Sequence, residues 1–300
     1  MNIYKSDAGR LAVEECYRRA LRQWPVAHRH LVVPTRHGDT FVIASGDEGA
    51  PPVVLFHGSG ANSSVWMRDV AEWSRHHRVY AVDMIGEPGL SAPSRPPLAS
   101  DAYAAWLDDV WAALDLRTAS IVGVSLGGWL GIDYAVRRPD HVASLSLMCP
   151  SGIGAANFGV MLKAGFLLAL GPWGVRKALT MISGRTTLPT EVSEFVRVIF
   201  RHFRPRMEKV PRRSDKELGS LSMPVQVIVG GRDALIRSGE TRARMQRLVP
   251  HAQVMYLDDE GHFLPPQTAT VARFLNDVWG TNDGTRADAD VRPRVLMASI

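Results

Sequence analysis

The residues most able to do chemistry are Gly123-Val124-Ser125-Leu126-Gly127-Gly128, set between the apolar run 120–124 and a helical stretch. A serine on a sharp strand-to-helix turn takes up a strained backbone, which requires small neighbours two residues to either side. Such a turn holds the hydroxyl clear of the sheet and aims the amide of Leu126 at a developing oxyanion. The serine needs a base, and the base needs an acid to orient it. Run 225–229 ends in Gly230-Gly231-Arg232-Asp233, and run 253–257 is followed by Asp258-Asp259-Glu260-Gly261-His262-Phe263. Both sets stand just past the carboxyl end of an apolar run, so Ser125, Asp233 and His262 are read as nucleophile, orienting acid and base, in that chain order. Asp258 and Asp259 are rival orienters, although they would have to fold back on His262. The second oxyanion donor is expected in His57-Gly58-Ser59-Gly60, from the amide of Ser59 first and Gly60 next. His57 is read as a brace for that loop through hydrogen bonds, not as a carrier of protons.

These residues require a scaffold that brings several loops to one edge. Runs 53–56, 79–82, 120–124, 142–148, 225–229 and 253–257 are short and nearly continuously apolar, as buried parallel strands are. Two β-branched runs, 30–34 and 40–45, precede them and read as a hairpin around Arg36-His37-Gly38-Asp39. Helical stretches alternate with the strands: 101–116, 127–138, 239–248 and 268–279, the last with Val271, Phe274, Leu275 and Val278 in register. The pattern predicts an α/β fold with a mostly parallel central sheet. An amphipathic helix over 7–24, ending at Trp24-Pro25, is expected to pack on the body.

Residues 152–213 interrupt the alternation with helical stretches alone and are expected to form a cap over the strands' carboxyl ends, inserted after the sixth strand. The domain reading is therefore an N-terminal helical segment 1–29, a core of 30–151 and 214–280, a cap 152–213 and a loosely attached tail 281–300. Eleven Lys and Arg against three Glu give the cap segment a local charge of +8 in a chain of +5, which leaves −3 elsewhere. Within it Val192, Phe195, Val196, Ile199 and Phe203 form a stripe opposite Arg197, Arg201 and Arg204, so these arginines are expected to face water. Arg212 and Arg213 are expected to be exposed in the linker that leaves the cap. The residues left to line a pocket are Phe158, Met161, Phe166, Leu167, Trp173 and Met181, which suit an uncharged, hydrophobic group.

Composition narrows the class further. With 46% apolar and 22% charged residues, the 300-residue chain has ordinary globular values. No basic stripe interleaved with aromatics runs along the rest of the chain, which argues against nucleic acid as a partner. The longest apolar stretch, 159–170, is broken by Lys163, so no stable membrane insertion is expected. The opening residues lack a basic-then-apolar layout, which points to the cytoplasm. Cys16 and Cys149 are read as packing residues. No His-Glu-x-x-His or comparable cluster asks for a metal, and Ser63 stands where G-x-G-x-x-G would need its third glycine. Oligomeric state is not readable.

Taken together, Phe56-His57-Gly58-Ser59-Gly60, the stretch from Asp83 through Gly86-Glu87-Pro88-Gly89 to Ser91, the serine turn, Gly231-Arg232-Asp233 and Gly261-His262-Phe263 resemble the α/β-hydrolase superfamily, serine-nucleophile branch. Trp24-Pro25, Val33-Pro34-Thr35-Arg36 and Gly86-Glu87-Pro88-Gly89 are similar to a bacterial carboxylesterase-like branch. The loop holding Glu87-Pro88 is one residue longer than members commonly show. The resemblance implies a hydrolase without a cofactor that passes through an acyl-enzyme under a helical cap. The expected substrate is a small-molecule carboxylic ester with a small or medium hydrophobic acyl group. Carbon–carbon bond, thioester or lactone hydrolysis and perhydrolysis are alternatives on the same triad. A ligand-binding receptor or scaffold that keeps the triad is the alternative of another class.

Overall fold

The computed structural model describes residues 3–183 and 190–281. Among them eight strands form one sheet: β1 (His28–Val33), β2 (Thr40–Ser45), β3 (Pro52–Phe56), β4 (Arg78–Val82), β5 (Ala119–Val124), β6 (Val142–Met148), β7 (Val225–Gly230) and β8 (Gln253–Leu257). Their order is β1-β2-β4-β3-β5-β6-β7-β8. The first hairpin is antiparallel and β2 runs antiparallel to β4; every pairing from β4 through β8 is parallel. All the parallel strands thus present their carboxyl ends along one edge.

The continuous apolar runs follow from burial on both faces. Side chains alternate across a strand, so Val54 and Phe56 join one core layer while Val53 and Leu55 join the other. The first layer is covered by α3 (Ala102–Ala113), α4 (Leu126–Arg137) and α9 (Ser238–Leu248), through Trp106, Leu107, Trp111, Leu130, Tyr134 and Met245. The second is covered by α1 (Asp7–Leu21), the short α2 (Val70–Trp73) and α10 (Thr268–Trp279), through Tyr17, Leu21, Trp73, Phe274, Leu275 and Val278.

Helix ends differ from the periodic pattern where the backbone turns first. Helix α1 stops at Leu21, three residues before Trp24-Pro25, and α3 stops at Ala113 ahead of Asp115, whose φ of 53° is left-handed. A five-residue helix α8 (Asp215–Gly219) opens with a capping box between Ser214 and Glu217.

Between β6 and α8 lie α5 (Phe158–Ala169), α6 (Gly171–Ser183) and α7 (Thr190–His202), with no strand among the described residues of that segment. Ile199 of α7 and Phe203 just past its end are buried against Ile3, Tyr4 and Val13, so α1 packs on the sheet with one side and on α7 with another. Arg197, Arg201 and Arg204 are exposed, as the stripe requires, whereas the Val192 side chain lies outside the described set. Arg213 departs from expectation. It is buried, pairs with Asp133 at 2.6 Å and lies over the Trp129 ring. Its aliphatic stem and planar head fill the seam between the returning chain and α4, which is why it is not a solvated linker residue. Arg212 beside it is exposed and pairs with Glu240. Residues 282–300 lie outside the described residues.

Candidate active site

Ser125 sits between β5 and α4 with φ 54° and ψ −112°, a conformation that costs a side-chain-bearing residue on the order of 1–3 kcal/mol. The surroundings hold it there. Its amide donates to Met148 O at 3.0 Å, and its carbonyl accepts from Trp129 N and Ser151 N. A Cβ at Gly123 would come within 2.6 Å of Gly127 O, and one at Gly127 would strike Phe56 O. Small neighbours are therefore a steric requirement of the turn.

His262 follows β8, and its Nε2 lies 3.1 Å from Ser125 Oγ. Its Nδ1 lies 2.7 Å from Asp233 Oδ2. The other Asp233 oxygen, Oδ1, accepts from the amides of Leu235 and Ile236 at 2.8 and 3.0 Å. The side chains of His262 and Asp233 are both buried, so the carboxylate is fixed by three nitrogens in a dry setting. The carboxylate requires a hydrogen on Nδ1, which leaves Nε2 as the acceptor for the serine proton. Asp258 stays away from this chain of bonds, and Asp259 pairs on the surface with Arg232.

The loop after β3 lies beside the nucleophile: a Cβ on Gly58 would be 3.5 Å from Ser125 Cβ. His57 is buried; its Nε2 accepts from Met84 N at 3.0 Å while Nδ1 faces Gly58 O at 2.9 Å. One ring nitrogen thus accepts and the other donates, and burial pushes the imidazole below its usual range. This ring ties the loop after β3 to the one after β4. Asp83, also buried, accepts from Tyr17 Oη, Ser63 N, Ser63 Oγ and Leu90 N, which joins the same two loops to α1.

Gly60 differs from the expectation that its amide helps hold an oxyanion. That N–H donates to Glu87 Oε2 at 2.7 Å, with Ser59 Oγ at 3.5 Å from the same oxygen. An amide committed to a buried carboxylate is not available to a substrate. Glu87 is 1% exposed, and burial pushes its carboxyl up to about 7, against the pull of the Gly60 amide, Arg95 and Arg206. A lone acid within an otherwise apolar loop is its sequence signal, but that stretch reads first as a lengthened turn.

The pocket residues divide. Phe166 and Trp173, expected to line a cavity, are 67% and 54% exposed. Helices α5 and α6 turn Phe166 and Trp173 outward, respectively, because their buried sides are taken by smaller residues such as Ala164 and Ala178. The side chains of Phe158 and Met161 lie outside the described set, and Leu167 and Met181 are half-buried. Two residues not singled out by sequence face the site. Ile182, at the end of α6, accepts the His262 amide at 3.3 Å, and the Phe200 ring of α7 stands 3.6 Å from where a Gly60 Cβ would lie. Cys149, read as a packing residue, is buried with a left-handed φ of 42°. Burial, then the neighbouring Asp233 carboxylate, push its thiol up to about 12. With Asp233 and His262 it makes the cluster of possible metal ligands found among the described residues, their atoms within 4.8 Å of one another. The two non-thiol members already bond each other, so the cluster reads as the relay with a protonated thiol beside it.

The fold and this arrangement define a class. Residues 53–274 match the model of the alpha/beta hydrolase family, and the chain belongs to that family. It is 31% identical over 287 residues to a protein of Bacillus subtilis (strain 168) named uncharacterized carboxylesterase nap, covering 90% of this chain and 94% of that one. Among solved structures it resembles naproxen esterase (carboxylesterase NP) from Bacillus subtilis, with a TM-score of 0.82 and 28% identity over 90% of this chain and 99% of the other. It also resembles carboxylesterase CesB (YbfK) from the same species, with a TM-score of 0.81 and 28% identity over 91% and 99%. Within the family the chain is carboxylesterase-like.

Proposed function

We propose that the protein hydrolyses carboxylic esters through an acyl-enzyme formed on Ser125. The observation that carries this reading is the continuous chain from Ser125 Oγ through His262 to Asp233, at 3.1 and 2.7 Å. His262 Nε2 takes the serine proton as Oγ attacks the acyl carbon, and Asp233 stabilises the imidazolium without accepting that proton. The amides of Leu126 and Ser59 hold the oxyanion, and they act in a site already fixed by the bracing of His57 and Asp83. His262 then gives the proton to the departing alcohol. Water, deprotonated by the same imidazole, attacks the acyl carbon and releases the acid, and the proton returns to Ser125.

The segment 152–213 serves in this reading as the cap, since Ile182 and Phe200 reach the His262 and Gly60 loops from above. Half-buried Met181 and the Phe200 ring favour an uncharged acyl group of small or medium size. A cytoplasmic setting belongs to the proposal and rests on the two free cysteines. The test is a panel of chromogenic esters of increasing acyl length. Sustained release over many turnovers, highest for a short or medium acyl chain, is expected. At most one acyl transfer per molecule across the panel would make the protein a receptor or scaffold.

A further inference from the structure

Among the described side chains of the helix pair α5–α6 and the turn between them, four large apolar ones face outward. Leu162, Phe166, Leu170 and Trp173 are 50%, 67%, 46% and 54% exposed, whereas the buried side of the pair is Ala164, Gly174, Val175, Ala178 and Leu179. Leu162, Phe166 and Leu170 recur every four residues and so share a face of the helix and its end. Exposed cations are interleaved with them: Lys163 lies three residues before Phe166, and Arg176 and Lys177 lie three and four after Trp173. From residue 152 through 190 the sequence contains no Asp or Glu.

From this juxtaposition we propose that the outer face of α5–α6 adsorbs to anionic phospholipid surfaces. Exposed Phe, Leu and Trp beside Lys and Arg is the pattern of a helix lying in a membrane interface, where rings and aliphatic chains enter the acyl boundary and cations meet headgroup charge. The charge distribution chooses the occupant. A second copy meeting this face through a two-fold axis would set Lys163, Arg176 and Lys177 against their own counterparts, with no acid in the pair to offset them. A nucleic acid would use the cations and leave four large apolar side chains in water. An anionic bilayer satisfies both. Neither helix is long and apolar enough to cross a membrane, so the contact is peripheral. This inference stands apart from the proposed ester hydrolysis, and its test reads binding alone.

The full-length protein is sedimented with vesicles of phosphatidylcholine and with vesicles that also contain phosphatidylglycerol. Binding to the mixed vesicles at low salt, its loss at high salt and little binding to phosphatidylcholine alone are expected. Phe166→Ser and Trp173→Ser should each weaken binding by roughly tenfold, and Lys163→Glu combined with Arg176→Glu should abolish it. These positions are exposed, and an unchanged melting temperature would show that the fold is intact. No binding to mixed vesicles would overturn the proposal, as would binding indifferent to Phe166→Ser. So would self-association that the same substitutions remove in the absence of lipid.

Discussion

The carboxylate of Glu87 accepts the Gly60 amide at 2.7 Å while its other oxygen, Oε1, is buried without a hydrogen-bond partner among the described residues. The acid thus fixes the loop that carries the Ser59 amide, and does so from a site that disfavours its own charge. Its folded-state value of about 7 stands above that of an unfolded glutamate, about 4.3. The native protein therefore holds a proton there that the unfolded chain has released, and stability falls as pH rises from about 4.3 to about 7. The loss at Glu87 amounts to about 4 kcal/mol. Glu87→Gln, which matches the neutral carboxyl in shape, should melt like the parent near the acid end of that window and several degrees higher above it. Parallel melting curves across the window would contradict the burial argument.

The same acid gives an activity expectation. Glu87→Ala leaves the Gly60 amide without its partner and frees the loop, so kcat should fall by about tenfold with a smaller change in KM. Glu87→Gln should retain most of kcat. Steady-state kinetics of the two variants on one short ester separate loop fixation from charge. Equal loss in both would remove Glu87 from the positioning of the loop.

Gly127 and Gly165 make a paired test of the turn. A methyl at Gly127 would strike Phe56 O, whereas one at Gly165, exposed on α5, meets nothing within 4 Å. Gly127→Ala should cost more than about 3 kcal/mol or prevent folding. Gly165→Ala should be neutral or stabilise by up to about 1 kcal/mol, through helix propensity. Thermal denaturation reads both, and similar melting temperatures would contradict the packing described at the turn.

Arg213 and Asp133 form a buried pair where the chain returns from the α5–α7 segment to the core. Removing one partner strands the other in a dry site, so Arg213→Met should destabilise by about 3 kcal/mol. That is the lower end of the usual range, because Arg137 also reaches Asp133 at 2.9 Å. The exposed neighbour gives the control: Arg212→Met should stay within about 0.5 kcal/mol. Urea titrations of the two variants compare them, and equal midpoints would contradict the burial of Arg213.

What was legible in the sequence is what depends on local pattern. Strands buried on both faces write themselves as unbroken apolar runs, and each run from 53 to 257 became a strand of the parallel sheet within a residue or two. Ser125, Asp233 and His262 could be ordered because each follows such a run, and the structure brings them within hydrogen-bond reach. The capping box at Ser214 and Glu217 is equally local, a Ser-x-x-Glu pattern that opens α8. What could not be read depends on long-range approach. Glu87 meets Gly60 across 27 positions, and Arg213 meets Asp133 across a whole insertion, so neither pairing leaves a periodic trace. Phe166 and Trp173 misled for a physical reason. Apolar type alone does not say which side of a helix is buried when the buried side can be built from Ala, Gly and Val.

The central claim is that Ser125 carries the acyl group, and trapping that group tests it most directly. The protein is mixed with a slowly deacylating chromogenic ester, quenched in acid, digested and mapped by mass spectrometry. One acyl group per molecule on the peptide containing Ser125 is expected, with a burst of released alcohol of the same stoichiometry. Ser125→Ala should show neither burst nor adduct and should melt close to the parent, because its Cβ keeps the same backbone strain. An adduct on another residue, or steady turnover by Ser125→Ala above a trace, would contradict the account.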